Sequence, residues 1–350
     1  FRSGSHPRNF SCASILRPKV TICAIRPWNE PFAGRWPRPS VMTSESARNL
    51  KAATVSLVLF AAVLWIALGQ EIDFAQIRPV LLIPAVLAYS LVLICRAKIF
   101  RLLSSIGTQH PFSTWLSLSA RHQLVFIISP SGAGDLAFPV LARKMIGLET
   151  LPAARLIAEA RLRDVLAVLG IGCAGIAGTG HFPVPALVGM VLCFAALFWS
   201  DLSIRAANVL VRRFKRMRAR AQAMHPPTEP ETFASLSQRM HIFGLTLSLW
   251  VFACTGILAG FHAAGYPMSV AESFVMLAGL NVAGALAFSI AGFGVAEAGA
   301  AGVLVFLGTP LSVAAGIAII ARPLLLLSNC VASAVLELVA RVLGARASAR

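Results

Sequence analysis

Two arginines, Arg161 and Arg322, stand inside apolar sequence at matching points of two similar stretches. A guanidinium stays charged and offers a planar fork that grips a phosphate or carboxylate through two parallel hydrogen bonds. At membrane depth such a charge is expensive and marks function by default. The first stretch begins Ser129-Pro-Ser-Gly132-Ala-Gly134 and continues to Gly147, Ala153, Ala154 and Arg161. The second begins Ser289-Ile-Ala-Gly292-Phe-Gly294 and continues to Gly308, Ala314, Ala315 and Arg322. The offset is 160 residues at the glycines and 161 from Gly147/Gly308 onward, so one inserted residue reconciles the copies.

The glycines at 132, 134, 292 and 294 permit a sharp bend and a close backbone approach. A broken helix also leaves amide N–H groups free to meet an anion. The expected site is a polar cavity in which Arg161, Arg322 and Arg163 hold a lipid phosphate, helped by Gly132, Gly134, Gly292 and Gly294. Asp135, Asp164, Glu297 and Arg143 form the polar network around it, orienting the arginines or engaging an amine. A purely structural reading stands beside this one. Arg161 and Asp164 are three residues apart on one helix and can neutralise each other, and Glu297 with Arg322 can be a buried clamp between two helices.

Other residues have plainer roles. Arg121 and His122 read as a pair snorkelling at the cytoplasmic interface. Asn281 and Asn329 read as bonding across helices, and His181 and His262 as outer-edge residues. The spacing of Gly170, Gly172, Gly175 and Gly178 reads as close helix packing. Cys95, Cys173, Cys193, Cys254 and Cys330 lie in apolar runs and read as small buried hydrophobes. No Cys/His ligand cluster, metal motif, nucleotide loop or nucleophile motif is present, so neither cofactor nor enzyme activity is expected.

These residues need helices to carry them, and the composition demands a membrane. Of the 350 residues, 57% are hydrophobic and only 13% charged, against roughly 25% charged in soluble domains. The mean hydropathy is +0.76. The net charge of +17 is concentrated rather than spread. Seven Arg/Lys lie in residues 1–41, and Arg205, Arg212, Arg213, Lys215, Arg216, Arg218 and Arg220 form one unopposed run. Basic loops beside spans mark the cytoplasmic side and attract anionic lipid head groups. No aromatic interleaving accompanies the charge, so nucleic acid is not the expected partner.

Residues 1–41 are rich in Pro, Arg and Ser and are expected to be a disordered basic extension, or sequence upstream of the true start at Met42. Residues 42–345 form the transmembrane domain, with a cytoplasmic basic loop over 201–240. Apolar runs predict spans at 52–69 (an anchor rather than a signal peptide), 81–95, 161–178, 182–200, 241–263, 270–290 and 311–338. Residues 114–159 and 291–307 are too interrupted for simple spans and predict Gly-broken or re-entrant elements. The fold class is therefore all-α and polytopic, with about eight membrane elements and both termini cytoplasmic. On this topology Arg161 and Arg322 lie on oppositely directed helices, which makes the duplication an inverted repeat.

At these motifs the chain resembles the transmembrane, flippase-like region of lysylphosphatidylglycerol synthetases, which also occurs alone in UPF0104-like membrane proteins. The likeness covers about residues 50–340. It rests on Gly132-Ala-Gly134-Asp135, Arg143-Lys144-Met-Ile-Gly147 and Ala160-Arg161-Leu-Arg163-Asp164 in the first copy. In the second it rests on Gly292-Phe-Gly294-Val-Ala-Glu297 followed by Arg322. Asp135 stands where that family usually has Glu, Ala160 replaces a Glu, and Ala296 stands where an Arg often precedes the last Glu. The resemblance implies a bacterial inner-membrane protein that moves or binds a phospholipid or a polyprenyl-phosphate glycolipid. Longer members add a soluble aminoacyl-transferase domain; this chain holds none, so lipid handling rather than lipid synthesis is expected. Two other roles stay open: a non-transporting subunit that positions a lipid-modifying enzyme, and a membrane-embedded lipid transferase. Gly-rich helix faces make a homodimer a further possibility.

Overall fold

The computed structural model describes residues 54, 57–67, 77–104, 106–129, 133–200, 235–286 and 293–348, all within one compact unit, Ser44–Arg350. The basic extension, the loop arginines 205–220, Gly132 and Gly292 lie outside the described residues. Among the described residues there are ten α-helices and no strand. They are α1 (Leu57–Ala67), α2 (Leu82–Leu103), α3 (Phe112–Ile128), α4 (Ala133–Ile146) and α5 (Thr150–Gly178). After these come α6 (Pro183–Phe198), α7 (Leu236–Ala263), α8 (Val270–Leu286), α9 (Val295–Phe306) and α10 (Leu311–Ser348). Among the described residues, three segments are long and apolar enough to cross a membrane: Pro79–Leu103, Leu236–Ala263 and Leu311–Ala345.

The protein is thus an all-α, polytopic membrane protein, but two boundaries differ from the sequence reading. The helix expected to open at Arg161 starts at Thr150. Pro152 sits in its first turn, where a missing N–H costs nothing, so Arg161 is interior rather than terminal. The last helix runs to Ser348, ten residues past its expected end. The interrupted region before Arg161 resolves into α3, α4 and the first turns of α5.

In lipid, helices gain little from hiding apolar surface, so small residues and polar bonds must hold them together. Three long contacts show this. Helices α2 and α7 run antiparallel: Arg78 N donates to the Ala263 carbonyl at 2.9 Å, the Tyr89 ring fills the space over Gly256, and Gln238 Nε2 reaches the Leu102 carbonyl at 3.4 Å. Helices α5 and α8 also run antiparallel, with Gly172 on Ala278 and Gly178 on Ala271. Helices α3 and α10 do the same through Ser117 on Glu337 and Gln123 on Asn329. The contacts are reciprocal: the second helix of the group α2–α5 packs on the fourth of α7–α10, and the fourth packs on the second.

Close packing sets a sharp tolerance. A β-carbon at Gly175 would lie 2.7 Å from the Ala271 carbonyl oxygen and 2.9 Å from the Val275 nitrogen, both backbone atoms. Gly175→Ala is therefore expected to destabilise by about 1–3 kcal/mol through overpacking. Gly244→Ala, with nothing within 4 Å, is expected to be neutral or slightly stabilising. Thermal melting in detergent distinguishes the two, and equal shifts would refute the tight α5–α8 seam.

The duplicated stretches share a local plan: a break, a short helix, a left-handed glycine, then a long helix bearing the arginine. Gly147 and Gly308 have φ of +67° and +96° and end α4 and α9. Thr309 N reaches back to the Leu304 carbonyl at 2.9 Å, which closes the α9 terminus as a Schellman turn. The break glycines do different work in the two copies. Gly134 lets α4 approach α3, since a β-carbon there would sit 2.6 Å from the Phe126 Cα. Gly294 instead supplies φ +85° at the start of α9.

Candidate functional site

Five helices converge on one ion-paired cluster. Asp164 of α5 is buried, 5% exposed, and is the acceptor at its centre. Its Oδ2 accepts from Arg96 Nη1 of α2 at 2.6 Å and from Arg161 Nη1 at 3.4 Å. Its Oδ1 accepts from Trp250 Nε1 of α7 at 3.1 Å. Arg161 turns the rest of its fork to Asp135 at the start of α4, with Nε to Oδ2 at 2.8 Å and Nη2 to Oδ1 at 2.6 Å. The Phe126 ring of α3 lies 4.7 Å from the Arg161 Cζ, a cation–π contact. His122, also on α3, places Nε2 3.3 Å from Asp135 Oδ1, and its ring packs among Phe100, Phe126 and Phe138.

Charges balance inside this cluster: two guanidiniums face two carboxylates. Burying an ion pair costs desolvation that its own attraction barely repays unless the geometry is good and the remaining polar atoms are bonded. Here the fork-to-fork contact and the Trp250 donor satisfy both conditions. A guanidinium fork of this kind suits a carboxylate or a phosphate alike.

The second copy builds a smaller site. Glu297, 1% exposed, lies in the first turn of α9, where the helix dipole favours an anion. Its Oε2 accepts from Gly294 N at 2.6 Å. Glycine has no side chain to return the bond, so only this half of a capping box exists. Arg322 lies within electrostatic reach of Glu297 and of Tyr89 from α2. A third ionic contact closes the far end of α10. Glu337 accepts from Ser117 Oγ at 2.5 Å, Arg121 Nε at 2.8 Å and Arg341 Nε at 2.8 Å.

Several sequence expectations change. Arg161, Asp135, Asp164 and Gly134 come together, and Glu297, Gly294 and Arg322 come together. Arg163 does not join them. It points away around α5, pairs with Glu159 at 2.9 Å, and lines a separate shallow depression with Ser200, Arg239 and Phe243. The 200° turn between residues two apart on a helix forces this separation. Arg143 stays outside as well: it is exposed, two turns or about 12 Å along α4 from Asp135. His122 is buried at 4% exposure rather than snorkelling, because α4 covers it. Asn281 bonds its own helix, at the Leu277 carbonyl, rather than a neighbour. Arg96, Trp250 and Glu337 escaped the sequence reading. Arg96 reads there as one of three flanking cations after a span, and no short-range signal links it to Asp164, 68 residues away.

These features define a class: a polytopic helical membrane protein whose polar residues meet in ion-paired clusters where helices cross. Residues 48–332 match the family described as the lysylphosphatidylglycerol synthase TM region. The chain belongs to that family. No curated protein matches the chain.

Proposed function

We propose that this protein binds the phosphate-bearing head group of a membrane lipid and carries it between leaflets. The lipid is a phospholipid or a polyprenyl-phosphate glycolipid. The observation that carries the reading is the arginine–carboxylate cluster of α2, α4 and α5, met by Trp250 of α7, in a chain whose two helix groups make reciprocal, antiparallel contacts. A two-fold relation that exchanges α2 with its antiparallel mate α7 has its axis in the membrane plane. That is the arrangement of inverted-repeat carriers, whose substrate sites lie where the repeats meet. Membership in a family named for a lipid synthase's membrane region supports a lipid as the cargo. Arg161 and Arg322 take the phosphate, while Asp135, Asp164 and Glu297 hold the arginines in place and receive any amine. The basic run 205–220 and the terminal arginines support a topology with both ends of the chain on the cytoplasmic side of a bacterial inner membrane.

Native mass spectrometry of detergent-purified protein with its retained lipids tests this. The wild type is expected to keep a specific lipid that Arg161→Ala/Arg322→Ala loses. Equal retention in both would make the arginines structural and defeat the assignment.

A further inference from the structure

The two reciprocal seams between the helix groups are chemically unlike. On α10, Arg322, Asn329, Ser333 and Glu337 follow at intervals of seven, four and four residues. Those intervals put them on one face, as a polar stripe about 22 Å long, most of the roughly 30 Å hydrocarbon core. On α5, the positions equally spaced after Arg161 are Val168, Gly172 and Ile176, all apolar.

Helix α3 lies along the polar stripe and answers it with polar groups. Gln123 Nε2 donates to Asn329 Oδ1 at 3.4 Å, and Ser117 and Arg121 both donate to Glu337. The seam is not sealed: Gln123 and Asn329 are half-buried, and the Arg121 side chain is 41% exposed. The α5–α8 seam has no room, since β-carbons at Gly172, Gly175 or Gly178 would meet α8 atoms at 2.5–3.0 Å.

Not every member of the stripe bonds across helices. Ser333 is fully buried, yet its hydroxyl donates to Asn329 O on its own helix, and Ser328 does the same to Leu324 O. The amide pair sits at the long limit of a hydrogen bond. Amides at this depth are costly unless they have polar partners.

We propose that the α3–α10 seam is the path by which the lipid head group crosses, handed from Arg322 past Asn329 and Ser333 to the Arg121–Glu337 clasp, its tails remaining in the bilayer. The α5–α8 seam stays shut as the pivot. Helix α3 is common to both features: His122 and Phe126 face the Arg161–Asp135 cluster, while its neighbours Arg121 and Gln123 face α10. This inference rests on the translocation reading above and names the route that it requires.

The test is head-group exchange of fluorescent phosphatidylglycerol and phosphatidylethanolamine in vesicles carrying the full chain. Wild type is compared with Gln123→Leu/Asn329→Leu, which keeps side-chain volume and removes both amides. Exchange is expected to fall about tenfold, the effect of losing one hydrogen-bonding step worth of stabilisation at the barrier. Lipid retention at the Arg161 cluster and the melting temperature should be unchanged. The single variant Asn329→Leu, a milder change to the fold, is expected to slow exchange about threefold or more. Active wild type with equally fast variants overturns the path alone. Wild type inactive toward both lipids overturns the translocation reading, and the path with it.

Discussion

Asp164→Leu is expected to destabilise the protein by about 3–5 kcal/mol, the cost of leaving buried charge without its partner. Asp164 is the only carboxylate that Arg96 is seen to contact among the described residues, and it also receives Arg161 and Trp250. Removing it strands Arg96 in the interior, its side chain 12% exposed. The size of the effect comes from that stranded charge and not from the bond lost. Arg96→Met/Asp164→Leu should therefore recover most of the loss, because an apolar pair of similar volume is often no worse than a buried ion pair. A thermal-melting double-mutant cycle in detergent measures the coupling. If the double variant is as unstable as the sum of the singles, the pair is not the stabilising unit described.

Glu297→Ala should rank next, at about 1–3 kcal/mol, since it removes a buried carboxylate that accepts a hydrogen bond and faces half-buried Arg322. It also leaves the Gly294 amide without its acceptor, so the start of α9 is expected to fray. Glu297→Gln separates the two contributions. The amide oxygen still accepts from Gly294 N, and only the charge is lost. The Gln variant should keep the α9 start protected in hydrogen exchange while losing stability through Arg322. Equal fraying in both variants would mean that the cap depends on the charge and not on the hydrogen bond.

The helical class and the polar residue types were legible in the sequence. So were the tight faces built on Gly172, Gly175 and Gly178, because small residues at helical spacing have few other uses in lipid. Partner choice was not legible. The sequence offers Asp164 to Arg161 three residues away. The fold gives Arg161's fork to Asp135, 26 residues back, and gives Asp164 to Arg96 from another helix. Local spacing proposes neighbours along a helix, whereas antiparallel packing decides neighbours across helices. Arg163 shows the converse: two residues from Arg161, it lies on a different face. The α10 stripe was readable from its spacing, but the eye is drawn to charges, and two of its members are an amide and a hydroxyl.

The balanced clusters have an electrical consequence. Arg96 and Arg161 against Asp135 and Asp164 sum to zero, and Arg322 faces Glu297. One elementary charge moved across a 100 mV potential is worth about 2.3 kcal/mol. A rearrangement that carries these clusters across the bilayer as units moves no net charge, so the resting potential does not bias the empty protein through them. On the proposed translocation, voltage would then act through the cargo, and an imposed potential should alter exchange of an anionic lipid while leaving that of a zwitterionic one unchanged.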